Sequence, residues 1–432
     1  MILLINPNNR IVSPFAAIEP PLWAGLVASY YRSQGEKVKI LDAEAFDLTP
    51  EETAVQALEY HPDSAMLVVM GNNPSVSSTP KMVVAAQLTE MLRYQIPLAI
   101  TGLHPSALPE ETEEELGIAV VKKPFEGLPD VAWDLLPMEL YKAHVWHCLD
   151  GSIRSPYASV YTSMGCPMSC GFCNIHALYG GEHKIWYRSS ADVVRELELL
   201  HKSYAVKNIK FWDELFTFNK KHVLNICDAL IQRGLNLNIW AYARVDSVDK
   251  LTLSMMKSAG INWLAYGFEA GDDKVLSTNN KHASKEEAIE AVRLTHEAGI
   301  NIIGNFIFNL PGDTPETMQV TLDFAKSLNI EFVNFYDFKP YPGSALYGKM
   351  ADTISLEGGK RTGMNLWNGY NQYGQMSGFR DYAFNEYFTD IKYLNHIKER
   401  FGAQAVNQVL DMVKYGKPMT VGVENANTTV QK

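Results

Sequence analysis

Short apolar segments alternate with helical stretches along most of the chain, and this alternation restricts the fold more than any other feature. In residues 1–125 the strand-like segments are MILLINP, KVKILDAE, SAMLVVMG and PLAITG, with helical segments between them. Strands that are apolar throughout and separated by helices indicate a parallel sheet with both faces covered. We therefore predict an α/β fold that begins with a doubly wound, Rossmann-like domain over residues 1–125. Its ligand site is expected at the carboxyl ends of the strands.

A second series begins near residue 155, with the strand-like segments SVYTSMG, NIKFWD, NLNIWAYAR, NWLAYGFE, INIIGNFIF and FVNFYDFKPY. Parallel strands joined by right-handed helical crossovers predict a partial (β/α)6 barrel over residues 155–350, with its chemistry at the strand carboxyl ends. Residues 126–154 contain prolines and aromatic residues without periodicity, which indicates an inter-domain linker packed on the surface. Residues 351–432 are expected to form a small, mostly helical C-terminal region that ends in a disordered tail.

The charge and the cysteine content exclude several classes of protein. The formal net charge is -11, which argues against general nucleic-acid binding because no basic surplus is present to neutralise phosphates. No stretch approaches the roughly 20 apolar residues of a membrane span. Three of the five cysteines are clustered. That arrangement indicates a metal site rather than a disulfide framework, and hence a reducing, cytoplasmic setting.

The clustered cysteines are Cys166, Cys170 and Cys173, which follow the segment SVYTSMG with the spacing C-x3-C-x2-C. Three thiolates on one tight loop can bind three irons of a cubane cluster and leave the fourth iron open. An open coordination position distinguishes a catalytic metal site from a closed structural one. The alternative is a structural zinc site in which His176 completes a Cys3His set.

The other two cysteines have structural explanations. Cys227 lies in HVLNICDALIQRG and shares a helical face with apolar residues, so we interpret it as a core thiol. Cys148 lies in the segment HVWHC, where packing of the linker is the favoured explanation. The alternative is that Cys148 is a fourth metal ligand together with His144 or His147.

The cysteine motif, with the aromatic residue Phe172 before the third cysteine, resembles the signature of the radical S-adenosylmethionine (SAM) superfamily. The resemblance covers about residues 155–350. It implies a 4Fe-4S cluster whose open iron chelates the amino and carboxylate groups of SAM, with Phe172 beside the cofactors. Reductive cleavage of SAM then gives a 5'-deoxyadenosyl radical, with electrons from a donor such as flavodoxin or ferredoxin. The cofactors perform the difficult chemistry, and the protein positions and insulates them.

Two further motifs of this family supply candidate SAM-binding charges. FWDELFTFN resembles a D-D-x-F-T segment and places Asp213 and Glu214 where a carboxylate could bind the ammonium group of SAM. A helix N-cap is the structural alternative. NIWAYARVDSVD places Arg244 at the next strand end, where it would suit the SAM carboxylate or a substrate anion.

Two later strands complete the resemblance. LAYGFEAGDD resembles the G-x-E-S-G strand, which implies that Glu269 bonds a ribose hydroxyl or an arginine, although a structural Glu–Arg pair is an alternative. GNFIFNLPGDT resembles the segment that cradles adenine, which implies SAM contacts at Gly304 and Asn305. Asn309 and Asp313 replace the usual glycine and glutamate of that segment. No catalytic residue is assigned beyond the cluster ligands.

The amino-terminal domain resembles the cobalamin-binding domain of cobalamin-dependent radical SAM enzymes. The matching segments are EPPLWAGLVASYYRSQG and TGLHPSALPEE, although no D-x-H-x-x-G motif is present to provide a histidine ligand for cobalt. The resemblance implies cobalamin contacts at Asn72, Ser75, Gly102 and His104, in the loops that follow the strands. His104 could instead cap the following helix, and the whole domain could be vestigial and only support the barrel.

These resemblances imply a cobalamin-dependent radical SAM C-methyltransferase, in which SAM is both the methyl donor to cobalamin and the source of the radical. An enzyme that catalyses rearrangement, cyclisation or epimerisation is the alternative. A methylthiotransferase would need three further amino-terminal cysteines, and none precedes Cys148. A non-enzymatic zinc-binding interaction protein is a further alternative. The substrate is expected to be a small molecule, a lipid or a peptide, and the aromatic segment 367–388 could form a lid that excludes water.

Overall fold

A computed structural model describes residues 1–8, 13–71, 73–350 and 377–415 of the chain. The amino-terminal part is a parallel sheet with the strand order β2-β1-β3-β4-β5. Its strands are β1 (Ile2–Asn6), β2 (Val38–Asp42), β3 (Ser64–Val69), β4 (Leu98–Gly102) and β5 (Ala119–Val120). The order changes direction between β1 and β3, and the crevice at such a switch point is where doubly wound sheets bind their ligands.

Helices cover both faces of this sheet. They are α1 (Leu22–Ser33), α2 (Pro50–Glu59), α3 (Pro74–Leu92), α4 (Leu103–Ala107) and α5 (Pro109–Leu116). Alternate strand residues enter two different hydrophobic cores: Leu4 belongs to one core, and Leu3 and Ile5 belong to the other. The strand segments are apolar along their whole length because both faces of each strand are buried.

The second sheet has six strands in the order β13-β12-β11-β10-β9-β6. They are β6 (Tyr157–Val160), β9 (Asn208–Phe211), β10 (Asn238–Ala243), β11 (Ile261–Glu269), β12 (Asn301–Phe308) and β13 (Phe332–Asp337). The strands β7 (Ser163–Met164) and β8 (Trp186–Tyr187) form a separate antiparallel pair. All neighbouring strands of the large sheet are parallel, as in a partial (β/α)6 barrel. The expected α/β fold class is confirmed.

Helices cover the outside of the barrel: α6 (Ser190–Tyr204), α7 (Lys220–Arg233), α8 (Lys250–Ser258), α10 (Lys285–Glu297) and α11 (Pro315–Leu328). Two short helices, α9 (Asp273–Thr278) and α12 (Ala345–Met350), lie at the carboxyl end beside Phe172. Phe268 of β11 and Phe306 of β12 stack at 5.4 Å and both meet Phe324 of α11. The next residues towards the barrel interior, Gly267 and Asn305, are only partly buried. The strands therefore bury their outer face completely and leave their inner face partly open.

The segment between the two sheets is buried rather than spread over the surface. Trp146 packs against Trp240, Trp263 and Phe332, which lie in barrel strands β10, β11 and β13. Tyr141 reaches the first sheet, where its hydroxyl donates to Asp42 at 2.8 Å. The segment thus closes the amino end of the barrel and ties it to the first sheet, while the domain boundaries remain sequence-based predictions.

The C-terminal helices are α13 (Ser377–Phe388), α14 (Ile391–Phe401) and α15 (Ala403–Tyr415). They dock beside β13, where the Tyr387 hydroxyl donates to the Ile330 carbonyl at 2.8 Å and the Tyr393 hydroxyl to the Glu331 carbonyl at 3.0 Å. The expected irregular segment, the disordered tail and residues 367–376 of the expected lid lie outside the described residues. In the described part of the chain, every helix is too short or too polar to span a lipid bilayer.

Candidate functional site

The cysteine loop lies between β7 and a 3₁₀ helix, Ile175–Tyr179, at the carboxyl end of the barrel. All three of its cysteines are partly buried free thiols. The Gly171 N–H donates to the Asn279 carbonyl at 2.8 Å, and the Gly171 carbonyl accepts from the Leu346 N–H at 3.0 Å. These bonds fix the middle of the loop to the end of α9 and to the first turn of α12. At Gly165, φ is +95° and a Cβ would approach the Lys184 carbonyl oxygen to 2.2 Å, so only glycine fits there.

The arrangement of the cysteine sulfurs bears on both the cluster hypothesis and the zinc hypothesis. Among the described residues, the sulfurs of Cys166, Cys170 and Cys173 belong to no group of three metal-binding side chains whose ligand atoms all lie within 4.8 Å of one another. Thiolates that share one tetrahedral zinc ion would lie about 3.8 Å apart, given Zn–S bonds of about 2.3 Å. A wider spacing fits a cubane, in which each cysteine binds a different iron.

The histidines considered as further ligands have other contacts. His176 Nε2 lies 2.9 Å from the Cys166 carbonyl oxygen and therefore supports the loop backbone. His144 Nδ1 accepts from the Ala17 N–H at 3.2 Å, and Cys148 is buried in the linker. Within the described ranges, Cys148 also forms no convergent group with His144 or His147. The arrangement therefore fits a cluster with three protein ligands.

Burial holds the cysteine thiols in their neutral form when no metal is bound. It raises the pKa of Cys166 to about 11 and that of Cys173 to about 12. Because metals bind thiolates, the free energy of cluster assembly has to offset this cost. Iron in a cluster supplies the positive charge that the loop needs.

Asp213 lies directly after β9 and is fully buried. Its carboxylate accepts from the Thr162 N–H and hydroxyl, both at 2.6 Å, and from the Ser163 hydroxyl at 2.5 Å. Burial raises its pKa to about 6 despite these bonds. The side chain therefore fixes the backbone that leads into the cysteine loop.

Glu214 contacts the cysteine loop from the same strand end. One carboxylate oxygen accepts from the Gly165 N–H at 2.8 Å, and the other accepts from the Tyr179 hydroxyl at 2.7 Å. Burial raises its pKa to about 7. Neither Asp213 nor Glu214 is a side-chain N-cap of a helix, and both are engaged inside the protein.

Arg244 and Glu269 lie at the next two strand ends. The Arg244 guanidinium donates to both oxygens of Asp246, at 2.8 and 2.9 Å, and also to the His282 carbonyl. Its positive charge acts on the thiols of Cys166 and Cys170. Arg244 thus lies close enough to the cysteine loop to influence a ligand bound there.

Glu269 forms a buried ion pair with Lys281, with 2.9 Å between the carboxylate oxygen and Nζ. Its φ of +66° and a register shift between Gly267 and Glu269 turn the side chain into the barrel. A Cβ on Gly267 would lie 2.4 Å from the Glu269 oxygen and 3.1 Å from Lys281 Nζ, so the glycine makes room for the pair. The expected alternative of a structural pair is present, with a lysine in place of the arginine.

The remaining SAM candidates occupy different environments. Gly304 faces outward, because a Cβ there would lie 2.6 Å from Ile330 Cδ1 in the helix-covered core. Asn305 faces the interior, donates to the Tyr266 carbonyl at 3.2 Å and accepts from Asn334 at 3.0 Å. Phe172 is partly buried in a small cluster with the loops after β11 and β12. Asn305 and Phe172 therefore lie on the side of the cysteine loop, whereas Gly304 supports the packing behind it.

The cobalamin candidates are grouped at the carboxyl edge of the first sheet, where Asn72 and the side chain of Ser75 lie outside the described residues. Gly102 has φ of +138°, and a Cβ there would lie 2.2 Å from the Val69 carbonyl oxygen. His104 is buried, and its Nδ1 lies 3.0 Å from the Thr79 hydroxyl, so its ring does not cap α4. Burial lowers its pKa to about 4 and keeps it neutral.

The two candidate edges face one another. Helix α4, at the carboxyl edge of the first sheet, packs against the 3₁₀ helix that follows the cysteine loop. Gly343 fits between them, since a Cβ there would lie 2.7 Å from Ala177 Cβ and 3.1 Å from Ala107 Cβ. A ligand at the sheet edge and a cluster in the loop would therefore be neighbours.

Sequence reasoning missed a buried lysine near each candidate edge. Lys281 follows α9 in a polar stretch with no local signal, and only its distance from Glu269 identifies it. Lys81 Nζ, on α3, contacts the Asn6 side-chain oxygen at 2.6 Å and Glu44 at 2.7 Å. Asn6 ends β1, so Lys81 adds a charged group to the carboxyl edge of the first sheet.

The family model of the radical SAM superfamily matches residues 160–325, which contain the cysteine loop and most of the barrel. The chain is 28% identical to an uncharacterized methyltransferase of Pyrococcus horikoshii over 80% of this chain and 82% of that protein. It is 24% identical to the anaerobic magnesium-protoporphyrin IX monomethyl ester cyclase of Rubrivivax gelatinosus over 82% and 71% of the two chains.

A similar solved structure is the radical S-adenosylmethionine methyltransferase TsrM from Kitasatospora setae, which contains cobalamin and a [4Fe-4S] cluster. The two folds superpose with a TM-score of 0.64 over 82% of this chain and 75% of TsrM, at 18% sequence identity. At this identity the likeness concerns the fold, in which a doubly wound sheet precedes a partial barrel.

Proposed function

We propose that the chain is a cobalamin-dependent radical SAM C-methyltransferase, in line with the match of the radical SAM family model to residues 160–325. The observation that carries the proposal is the contact of α4, at the carboxyl edge of the first sheet, with the 3₁₀ helix after the cysteine loop. Similarity to a methyltransferase of Pyrococcus horikoshii and to the fold of TsrM supports it. When bound, the cluster and SAM supply hydrogen-atom abstraction, and cobalamin supplies methyl transfer.

The residues of the chain bind, orient and shield these groups. Cys166, Cys170 and Cys173 would hold the cluster, because they lie on one short loop at the carboxyl end of the barrel and each could bind a different iron. Arg244 and the Glu269–Lys281 pair would bind the charged and hydroxyl groups of SAM, since they lie at strand ends beside the loop. Asn305 adds an amide on the inner face of the barrel.

The first sheet would hold cobalamin at its carboxyl edge, near Gly102 and His104. His104 is neutral and fixed by Thr79, so it presents a defined polar surface without a charge that would need a partner. The polar group around Lys81 lies at the same edge. A hydroxyl-rich, amide-rich cofactor fits an edge lined by such donors and acceptors.

The substrate would be a small molecule, a lipid or a peptide that enters the partly open interior of the barrel. We also propose a reducing, cytoplasmic setting, because the five cysteines are free. Reduction of the cluster would require a one-electron donor such as flavodoxin or ferredoxin. Tyr387 and Phe388, in the described part of the expected lid, are core residues. A lid role would therefore fall to the other residues of the segment 367–388.

The proposal is tested with protein purified and reconstituted without oxygen. We expect about four irons and four sulfides per chain, from the cubane cluster that three cysteines can hold. We also expect an absorption spectrum of bound corrin after incubation with hydroxocobalamin and removal of the excess. Zinc without sulfide would contradict the cluster, and corrin that is lost on gel filtration would contradict the cobalamin site.

Rearrangement or cyclisation is the second candidate, because a magnesium-protoporphyrin ester cyclase is among the relatives. SAM with a labelled methyl group separates the two outcomes. We expect the label in the corrin and then in the product. A label that reaches the corrin but not the product, while 5'-deoxyadenosine accumulates, would favour the second candidate.

A further inference from the structure

Glu214 contacts the cysteine loop from both sides. Its Oε2 accepts from the Gly165 N–H, immediately before Cys166, and its Oε1 accepts from the Tyr179 hydroxyl, at the end of the 3₁₀ helix after Cys173. The distances of 2.8 and 2.7 Å are those of well-formed hydrogen bonds to a carboxylate. One side chain therefore joins the two ends of the loop.

The surrounding contacts make this connection rigid. His176, in the same 3₁₀ helix as Tyr179, contacts the Cys166 carbonyl at 2.9 Å. The Tyr179 ring packs against Trp186 at 5.7 Å, on the strand that pairs with β7. Gly165 is confined by Lys184, so the N–H that Glu214 accepts has little freedom to move. Because the Gly165 N–H and the Tyr179 hydroxyl are both confined, the carboxylate that bonds to them holds the two ends of the loop at a fixed separation.

The charge of Glu214 also reaches the sulfurs. Gly165, whose N–H donates to Glu214 at 2.8 Å, immediately precedes Cys166, so the carboxylate lies close to the first sulfur of the loop. The same charge would oppose adding an electron to a cluster held by these sulfurs. The hydrogen bonds of Glu214 and its negative charge therefore both act on the cysteine loop and on the cluster that it would hold.

We propose that Glu214 is a positioning residue that connects the two ends of the cysteine loop and sets the reduction potential and retention of the cluster. The proposal rests on the cluster assigned above under the proposed function. It gives Glu214 a role through the loop, because each of its oxygens accepts a hydrogen bond from the loop or from the helix after it.

The first test is Glu214→Gln, which keeps the size of the side chain and removes its charge. In a redox titration of the reconstituted protein followed by electron paramagnetic resonance at pH 8.5, we expect the ratio of reduced to oxidised cluster at a fixed potential to rise about tenfold. This corresponds to about 59 mV for a one-electron couple. A change below twofold would overturn the proposed control of the potential.

The second test is Tyr179→Phe, which leaves Glu214 and its bond to Gly165 in place and removes only the connection to the helix. We expect the cluster to lose iron to a chelator several-fold faster than in the unaltered protein. Equal rates would overturn the proposed connection. This variant removes a single hydroxyl, so it keeps the proposal testable even where Glu214→Gln does not fold.

Glu113→Gln is the matched control, because Glu113 also accepts a main-chain N–H, from Val120 at 2.8 Å, but lies in the amino-terminal domain. We expect neither the potential nor the iron loss to change. A shift as large as that of Glu214→Gln would overturn the proposal. Unaltered protein without iron and sulfide would contradict the proposed function itself, whereas a normal cluster that is indifferent to both variants would contradict only the role of Glu214.

Discussion

The two ends of the barrel bury carboxylates in opposite electrostatic surroundings. At the carboxyl end, Asp213 and Glu214 receive hydrogen bonds from hydroxyl and N–H groups, and burial raises their pKa values to about 6 and about 7. At the amino end, burial would also raise the pKa of Glu331. Hydrogen bonds from two histidines and the charge of an arginine outweigh it and lower that pKa to about 2.

The groups around Glu331 come from three different elements, β12, α10 and α14. The carboxylate accepts from the Ile302 N–H at 2.7 Å, lies 3.2 Å from His396 Nε2 and 3.0 Å from Arg400 Nε, and also contacts His296. The amino end of the barrel thus contains charge pairs that attach α14 to the sheet. At the carboxyl end, Asp213 and Glu214 instead accept hydrogen bonds from uncharged hydroxyl and N–H groups, and there they fix a loop. The difference indicates that one end serves stability and the other serves chemistry.

The largest expected effect of any substitution is at the carboxyl end. Cys166→Ser should abolish the cluster and reduce SAM cleavage by at least about three orders of magnitude, equivalent to about 4 kcal/mol, because one iron loses its ligand. Iron analysis and product quantification measure both effects. Cys227→Ser is the control, since Cys227 is buried in α7 away from the loop, and it should retain its iron. A full cluster in Cys166→Ser would contradict the assignment of the chemistry to the carboxyl end of the barrel.

The next effect is at the amino end. Trp146→Ala should lower the free energy of unfolding by about 3–5 kcal/mol, because the ring fills the space between three barrel strands. Urea denaturation without oxygen measures it. The cluster spectrum of the folded variant should be unchanged. A loss below about 1 kcal/mol, or an altered spectrum, would contradict the separation of the two ends.

The pH dependence of stability should differ in sign between the two ends. The pKa of Glu331 is lowered from 4.5 to about 2, so its contribution of about 3 kcal/mol is present above pH 4.5 and is lost as the pH falls towards 2. The raised pKa of Glu214 acts in the opposite direction: its contribution appears as the pH falls through about 7. Urea midpoints of cluster-free protein from pH 3 to 8 test this. In Glu331→Gln, the urea midpoint should fall less between pH 4.5 and 3 than in the unaltered protein. An equal fall in the two proteins would contradict the role assigned to Glu331.

The smallest expected effect is on SAM affinity, when Lys281 at the carboxyl end is substituted. Lys281→Met removes the cation of the Glu269 pair and should weaken SAM binding about tenfold, or about 1.4 kcal/mol. Isothermal titration of the reconstituted protein with SAM measures this. Lys281→Arg should restore most of the affinity. Unchanged affinity in Lys281→Met would assign the pair to structure alone.

Much of the fold followed from local patterns. The uniformly apolar segments correspond to strands of two parallel sheets, because both faces of these strands are buried. The cysteine spacing is also local, since Cys166, Cys170 and Cys173 lie on one short loop. The partners of charged groups were not predictable in this way. Asp213 and Glu214 were expected to face SAM, and their oxygens accept hydrogen bonds from the cysteine loop and its neighbours.

The sequence by itself determined the order of strands and helices and the cysteine loop after the first barrel strand. Each of these depends on residues within a few positions of one another. Only the tertiary structure decided that Lys281 pairs with Glu269, that Glu214 joins Gly165 to Tyr179, and that Glu331 meets His396. These contacts join residues 12 to 65 positions apart. Hydrophobic burial brings such residues together without regard to their spacing in the chain, so no local pattern records them.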